Sequence, residues 1–277
     1  MKKAIQRIWN NTYYRVWNKF SKLRGRKKWA NIDDICIHYE EYGSGEPLLL
    51  LHGGIVDHEC WTSQIPTLAK HFRVIAPDTR GHGRSSDNLE KPLSYYQFAD
   101  DWVKLLDKLA IEHAHVVGWS DGGCSGLCMG LHNPKRIKRM ITIGTPYNIA
   151  NYHDGALDEL LGEEQWKSNP LFISYGKKAN KISPQKGGWI HFLERLIEGA
   201  WQQEPNFTLE QTATIETPTL TIIGENEQLF DLKHAKDMSI AMPNGQLLVI
   251  PKATHFIPFE QPKALNRAII NFLKEKA

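Results

Sequence analysis

One pentapeptide, Gly118-Trp119-Ser120-Asp121-Gly122, constrains this chain more than any other feature of its 277 residues. It follows the apolar run Ala114-His115-Val116-Val117 and leads into Gly122-Gly123-Cys124-Ser125-Gly126, a helix start made of small residues. The surroundings predict a strand, a sharp turn and a helix, with a serine at the bend. Glycines on both sides of that serine remove the side chains that would collide where strand and helix approach. The serine must adopt a strained backbone so that its hydroxyl projects from the turn. Ser120 is therefore a candidate nucleophile, and the helix N-terminus behind it favours the negative charge that develops in acyl transfer.

The rest of the chain supplies a scaffold for such a turn. Short apolar runs predict strands at Ile35 to Tyr39, Leu48 to Leu51, Arg73 to Ala76, Ala114 to Gly118, Met140 to Gly144, Pro218 to Gly224 and Gln246 to Ile250. Helical spacing appears between them, near Trp61 to His71, Tyr95 to Leu109, Gly122 to Asn133, Asp231 to Ala241 and Pro262 to Lys274. Alternation of this kind gives an α/β fold, a mostly parallel central sheet flanked by helices. From Pro146 to Glu216 it stops, and Asn169-Pro170, Ser183-Pro184 and Gly187-Gly188 interrupt an aromatic-rich stretch. A stretch so long is better read as an inserted helical layer than as a loop. Residues 146–216 are thus expected to form a lid on a core made of residues 31–145 and 217–277. Trp166, Phe172, Tyr175, Trp189 and Trp201 could line a pocket beneath it or pack the layer itself.

Two segments bear on the chemistry. Leu48-Leu49-Leu50-Leu51 ends in His52-Gly53-Gly54, a turn able to aim the Gly54 amide where the Asp121 amide also points, giving two donors for an oxyanion. Ile55 beside that turn and Trp119 beside the nucleophile are expected to wall the substrate pocket. Asp78-Thr79-Arg80-Gly81-His82-Gly83-Arg84-Ser85 reads as a tight loop in which Asp78 and His82 fix the backbone by hydrogen bonds.

With His255-Phe256, Glu260, Pro262 and Gly224-Glu225 added in chain order, residues Ile35 to Leu273 resemble the α/β-hydrolase superfamily. The resemblance is to its lid-bearing group of valacyclovir hydrolase-like esterases, carbon–carbon bond hydrolases and small carboxylesterases. It implies the α/β-hydrolase fold, and it places the general base at His255, past the last strand and before the final helix. A neutral imidazole there takes the Ser120 proton and its cation returns it to the leaving group. For the acid, the family commonly reads Gly-Glu-x-Asp where this chain has Gly224-Glu225-Asn226-Glu227. Glu227 at the aspartate position is the candidate, and Asp231 four residues on is its rival. Serine at the elbow, in place of aspartate, points to acyl chemistry. Hydrolysis of a small or medium carboxylic ester, apolar on the acyl side, is the expected reaction. Thioester, lactone or carbon–carbon bond cleavage, or a non-catalytic binding protein on this fold, are the alternatives.

Charge is distributed unevenly. Residues 1–30 hold ten Lys or Arg and no acid, so a formal charge of +3 leaves −7 on the remainder. An acidic body gives no support to nucleic-acid binding. In the first 20 residues Ile5, Ile8, Trp9, Tyr13, Val16, Trp17 and Phe20 recur at helical steps among cations. That pattern suits a helix lying peripherally on an anionic membrane, or one packed on the body or on a second subunit. Lys22 to Lys28 reads as an exposed linker. Apolar runs are too short to span a membrane and no signal-peptide pattern is present, so a cytoplasmic location is expected. Cys36, Cys60, Cys124 and Cys128 have neither zinc nor disulfide spacing, so buried or half-buried thiols, no metal and no organic cofactor are expected beside the small-molecule substrate.

Overall fold

The computed structural model describes residues 25–156, 162 and 167–275. Leu48, Leu49, Leu50 and Leu51 are completely buried, which requires cover on both faces of their strand. The sheet provides it. Among the described residues its strands are β1 (Arg26–Ile32), β2 (Ile35–Tyr42), β3 (Pro47–Leu51), β4 (Arg73–Pro77), β5 (Ala114–Trp119), β6 (Ile137–Ile143), β7 (Thr219–Gly224) and β8 (Gly245–Ile250), ordered β1-β2-β4-β3-β5-β6-β7-β8. β4 through β8 pair in parallel, while β1 and β2 are antiparallel additions at one edge. The longer helices are α1 (Tyr95–Lys108), α2 (Asp121–His132), α3 (Pro170–Ile182), α4 (Trp189–Leu196), α5 (Leu232–Ala241) and α6 (Pro262–Lys274).

This order fixes where a site can form. β3 has β4 on one side and β5 on the other, so the chain leaves the carboxyl ends of β3 and β5 in opposite directions and opens a crevice between them. The Gly53-Gly54 turn follows β3 and Ser120 follows β5. Close approach demands the glycines here: a Cβ on Gly118 would strike the Gly122 carbonyl, and one on Gly122 would strike the Leu51 carbonyl.

The basic stretch corrects the sequence reading. Arg26 to Lys28 do not form an exposed linker; they open β1, whose residues pair with β2 from Arg26–Glu41 to Ile32–Ile35. Glu41 meets Lys28 at 2.6 Å and Arg26 at 3.6 Å, and Lys27 lies 3.9 Å from Glu40. Cations that read as linker are neutralised by acids on the neighbouring strand. The amphipathic helix expected near the N-terminus falls on residues 1–24, outside the described residues. No described helix is long and apolar enough to cross a membrane.

Between β6 and β7, α3, α4 and the π-helical turn Ile197–Trp201 are tied to loops at the carboxyl end of the sheet. Arg195 pairs with Asp87 at 2.5 Å, Lys178 spans Asp57 and Glu59 at 2.5 and 3.0 Å, and Phe192 packs edge-on against His82. Glu204 accepts from the Ser94 hydroxyl at 2.7 Å and the Tyr95 amide at 2.6 Å, at the start of α1. Phe172, Tyr175, Trp189 and Trp201 are buried within this layer. Trp166 is outside the described residues.

Candidate active site

Ser120 sits between β5 and α2 at φ 53° and ψ −120°, a backbone region that costs a non-glycine residue about 1–3 kcal/mol. Surrounding hydrogen bonds hold it there: its amide donates to the Ile143 carbonyl at 2.9 Å, and its carbonyl accepts from Gly123 and Cys124 at 2.8 and 3.0 Å. The strain turns the hydroxyl toward His255, whose Nε2 lies 3.1 Å from Ser120 Oγ. On the far side of the ring, Nδ1 is 3.1 Å from both Glu227 carboxylate oxygens. Glu227 Oε1 also accepts the amides of Gln228 and Leu229 at 2.9 and 3.1 Å, which locks the acid in the turn after β7. The structure thus brings together the three residues selected from the sequence. Asp231 is exposed at the start of α5, 3.8 Å from His153, and is not against the imidazole.

Electrostatics follow from this packing. Burial alone would lower the His255 pKa, but the Glu227 carboxylate beside it reverses the sign and holds it above its usual 6.5. Burial would likewise raise Glu227, and the imidazole with the two amides keeps it below the ordinary carboxylate value. The Glu227 carboxylate thus favours the imidazolium that forms when His255 takes up a proton.

Asp121, the first residue of α2, has an amide with no acceptor inside the helix, as every first helical residue does. Its carboxyl lies against the glycine turn, since a Cβ on Gly54 would come within 2.6 Å of Oδ2. A Cβ on Gly53 would lie 3.3 Å from Ser120 Cβ, so the turn and the elbow are in contact. Trp201 donates its indole N–H to Asp121 Oδ2 at 2.8 Å and Tyr95 hydrogen-bonds the same carboxyl. Burial raises this acid to about 6. Neither partner was legible in the sequence as such, because both reach the site from other elements.

The two residues expected to wall the pocket separate. Ile55, at φ 56°, lines a small cavity of about 20 Å³ with His82, Tyr175, Lys178, Trp189 and Phe192. Trp119 is only 3% exposed and lies under the His255 loop, its indole N–H donating to the His255 carbonyl at 2.9 Å. Substrate has little access to it. His52, buried, accepts the Thr79 amide at Nε2 and bonds the Gly53 carbonyl through Nδ1, fixing the glycine turn.

Asp78 and His82 hold the loop after β4, as the sequence suggested. Asp78 Oδ1 accepts the His58 amide at 3.0 Å and His58 Nδ1 at 2.5 Å, while Oδ2 accepts His38 Nδ1 and the Arg84 amide, each at 2.9 Å. Among the described residues His38, His58 and Asp78 are the group whose donor atoms come close enough to suggest a metal. All four approaches to the carboxylate are taken by N–H donors, so the cluster fits a charged hydrogen-bond knot rather than a ligand set. Burial opposes a charge on His58, but Asp78 and Glu40 override it and raise the pKa to about 10. The four cysteines are unbridged, Cys36 half-buried and the others buried.

A serine raised at the switch point of a parallel sheet, with an imidazole arriving from beyond the last strand, is the arrangement of the α/β hydrolases. The chain has the α/β-hydrolase fold and is similar to hydrolases of that superfamily. A family model of the alpha/beta hydrolase fold matches residues 46–168. The 2-hydroxy-6-oxo-6-phenylhexa-2,4-dienoate hydrolase of Comamonas testosteroni is 25% identical over 94% of this chain and 97% of its own length. Carboxylesterase YbfK of Bacillus subtilis is 26% identical over 82% of this chain and 79% of its own. The crystal structure of YbfK superposes with a TM-score of 0.73 at 21% identity, covering 96% of this chain and 98% of that one.

Proposed function

We propose that the protein is a serine hydrolase that cleaves a carboxylic ester through an acyl-enzyme on Ser120. The observation that carries this reading is the unbroken hydrogen-bonded chain from Ser120 Oγ through His255 to Glu227 at 3.1 Å steps. Ser120 Oγ attacks the ester carbonyl as its proton passes to His255 Nε2, giving a tetrahedral oxyanion between the amides of Gly54 and Asp121. Collapse breaks the bond to the alkoxide, which takes the proton from the imidazolium and departs as the alcohol. Water, deprotonated by the same imidazole, then releases the acid and restores the serine. The helical layer over the carboxyl end of the sheet serves as the lid, and Ile55 beside the turn favours an apolar acyl group.

A chromogenic ester should give a burst of product equal to the enzyme, and a fluorophosphonate should label Ser120. Ser120→Ala should lose both. A Ser120→Ala protein that hydrolyses esters at the wild-type rate removes the proposal. Because the Comamonas relative is, by its name, a hydrolase of a dienoate, such a dienoate belongs in the substrate panel with thioesters and lactones, as a test for carbon–carbon bond cleavage. Peripheral membrane contact through the N-terminal segment is a separate proposal, resting on the seven cations at or before Arg24 that β1 does not use. Equal sedimentation of full-length and truncated protein with anionic liposomes would dismiss it.

A further inference from the structure

We infer that Trp119 is a positioning residue: its indole sets the separation of nucleophile, base and glycine turn. The inference rests on the serine hydrolase reading and assigns the residue before the nucleophile a task that an apolar substrate wall would not have.

Three contacts carry it. Through the backbone, Trp119 ends β5 and its carbonyl carbon bonds to the amide of Ser120, so any shift of its ring is felt at the elbow. Through Nε1, it donates at 2.9 Å to the carbonyl of His255 itself, a buried bond between residues 136 apart in sequence. Through the opposite edge of the indole, it abuts the glycine turn, where a Cβ on Gly53 would come within 3.1 Å of Trp119 Cε3. Phe259 packs edge-on against the indole at 5.5 Å between centroids, and Phe256 at 6.1 Å, so the ring has no freedom to swing. The geometry is that of a spacer with one side chain touching two of the three parts of the site and one backbone bond joining the third.

The need for such a spacer is physical. His255 lies in a loop, and a loop holds its side chains less rigidly than a strand does. Proton transfer from Ser120 requires the 3.1 Å approach of Nε2 to persist, and errors of an ångström cost orders of magnitude in rate. A hydrogen bond from a strand residue to the carbonyl of the base itself removes the rotation that would carry the imidazole away. Glu260 restrains the same loop from the other end, accepting the Thr254 amide at 2.7 Å and its hydroxyl at 3.0 Å. Of these two restraints on the loop, the Trp119 bond is the one made to the backbone of His255 itself.

Trp119→Phe keeps an aromatic ring and deletes the donor; Leu105→Ala removes buried packing near the end of α1 and leaves the indole and its donor in place. Both are compared with the wild type for kcat and KM on esters of graded acyl length, for the rate of Ser120 labelling by a fluorophosphonate, and for thermal melting. A lost buried hydrogen bond to the base should lower kcat and the labelling rate of Trp119→Phe by about three- to tenfold, with KM and the preferred acyl length unchanged. Leu105→Ala should lower the melting temperature at least as much and keep most of kcat. The inference is overturned if Trp119→Phe retains wild-type kcat and labelling, if its acyl-length preference shifts, or if both variants lose kcat alike in proportion to stability. A wild type that is neither labelled nor active on esters overturns the serine hydrolase reading, and this inference with it.

Discussion

Nδ1 of His255 stands at the same 3.1 Å from both carboxylate oxygens of Glu227. The longer acid therefore reaches the imidazole with both oxygens on the ring's donor side, and the amides of Gln228 and Leu229 hold it there. A carboxylate in this position fixes the tautomer with Nδ1 protonated and Nε2 free to accept the serine proton.

Replacement of Glu227 by Gln leaves a neutral side chain that can present N–H to Nδ1 and select the wrong tautomer. kcat should fall by about 10³- to 10⁴-fold with KM little changed. Asp231→Asn, altering an exposed residue away from the ring, should stay within twofold of the wild type. Steady-state kinetics of the two variants checks both expectations, and the reverse pattern would reassign the acid.

Asp121 and His255 share a field. The Asp121 carboxylate is among the charges that raise His255, and burial in turn brings Asp121 to about 6. Wild-type kcat/KM should decline as pH falls through a His255 pKa lying above 6.5, because the protonated imidazole cannot accept from Ser120. Asp121→Asn removes a negative charge, lowers the His255 pKa, and should move this acid limb toward lower pH. A pH–rate profile of the two proteins provides the measurement; an unmoved limb would show that the carboxyl does not act on the base.

What was legible in the sequence and what was hidden have separate physical causes. β2 to β8 and the elbow were readable because their apolar residues run together locally, and in β5, β6 and β7 the run ends at or beside a glycine. Glu227 was readable from its place in the turn after β7, and the amides of Gln228 and Leu229 explain how a glutamate is held against the imidazole there. β1 was missed because Arg26, Lys27 and Lys28 look like linker until Glu40 and Glu41 of β2 lie beside them. Trp119 was taken for a pocket wall because the partner of its indole is a backbone carbonyl, which no residue pattern announces. The His38, Asp78 and His58 knot is scattered over three elements and exists only in the fold.

That knot makes stability depend on pH. His58 in the folded protein titrates near 10, against an ordinary 6.5, so its contribution is fully present below pH 6.5 and is lost as pH rises through about 10. Melting temperatures measured from pH 6 to 10 should fall with pH more steeply in the wild type than in His58→Gln, which has no proton to lose. His58→Gln should itself be less stable at pH 7, because it strips a charged partner from buried Asp78. Parallel melting curves for the two proteins over this range would refute the assignment.

Glu204 links the helical layer to the core in a way that bears on substrate access. Its carboxylate accepts the Ser94 hydroxyl and the Tyr95 amide at the start of α1, three residues after Trp201, whose indole reaches Asp121 beside the nucleophile. The layer is thus anchored at the point where it enters the site. Glu204→Ala leaves the Tyr95 amide without its carboxylate and should cost about 1–3 kcal/mol in denaturant unfolding. Because Trp201 loses its neighbouring anchor, the Asp121 contact should also loosen. KM should rise while the rate of Ser120 labelling by a small fluorophosphonate stays near the wild type, since the hydrogen bonds among Ser120, His255 and Glu227 do not pass through Glu204. Limited proteolysis should cut α3 or α4 sooner in the variant. If KM and proteolysis are unchanged while stability falls, Glu204 caps α1 and has no part in holding the layer over the site.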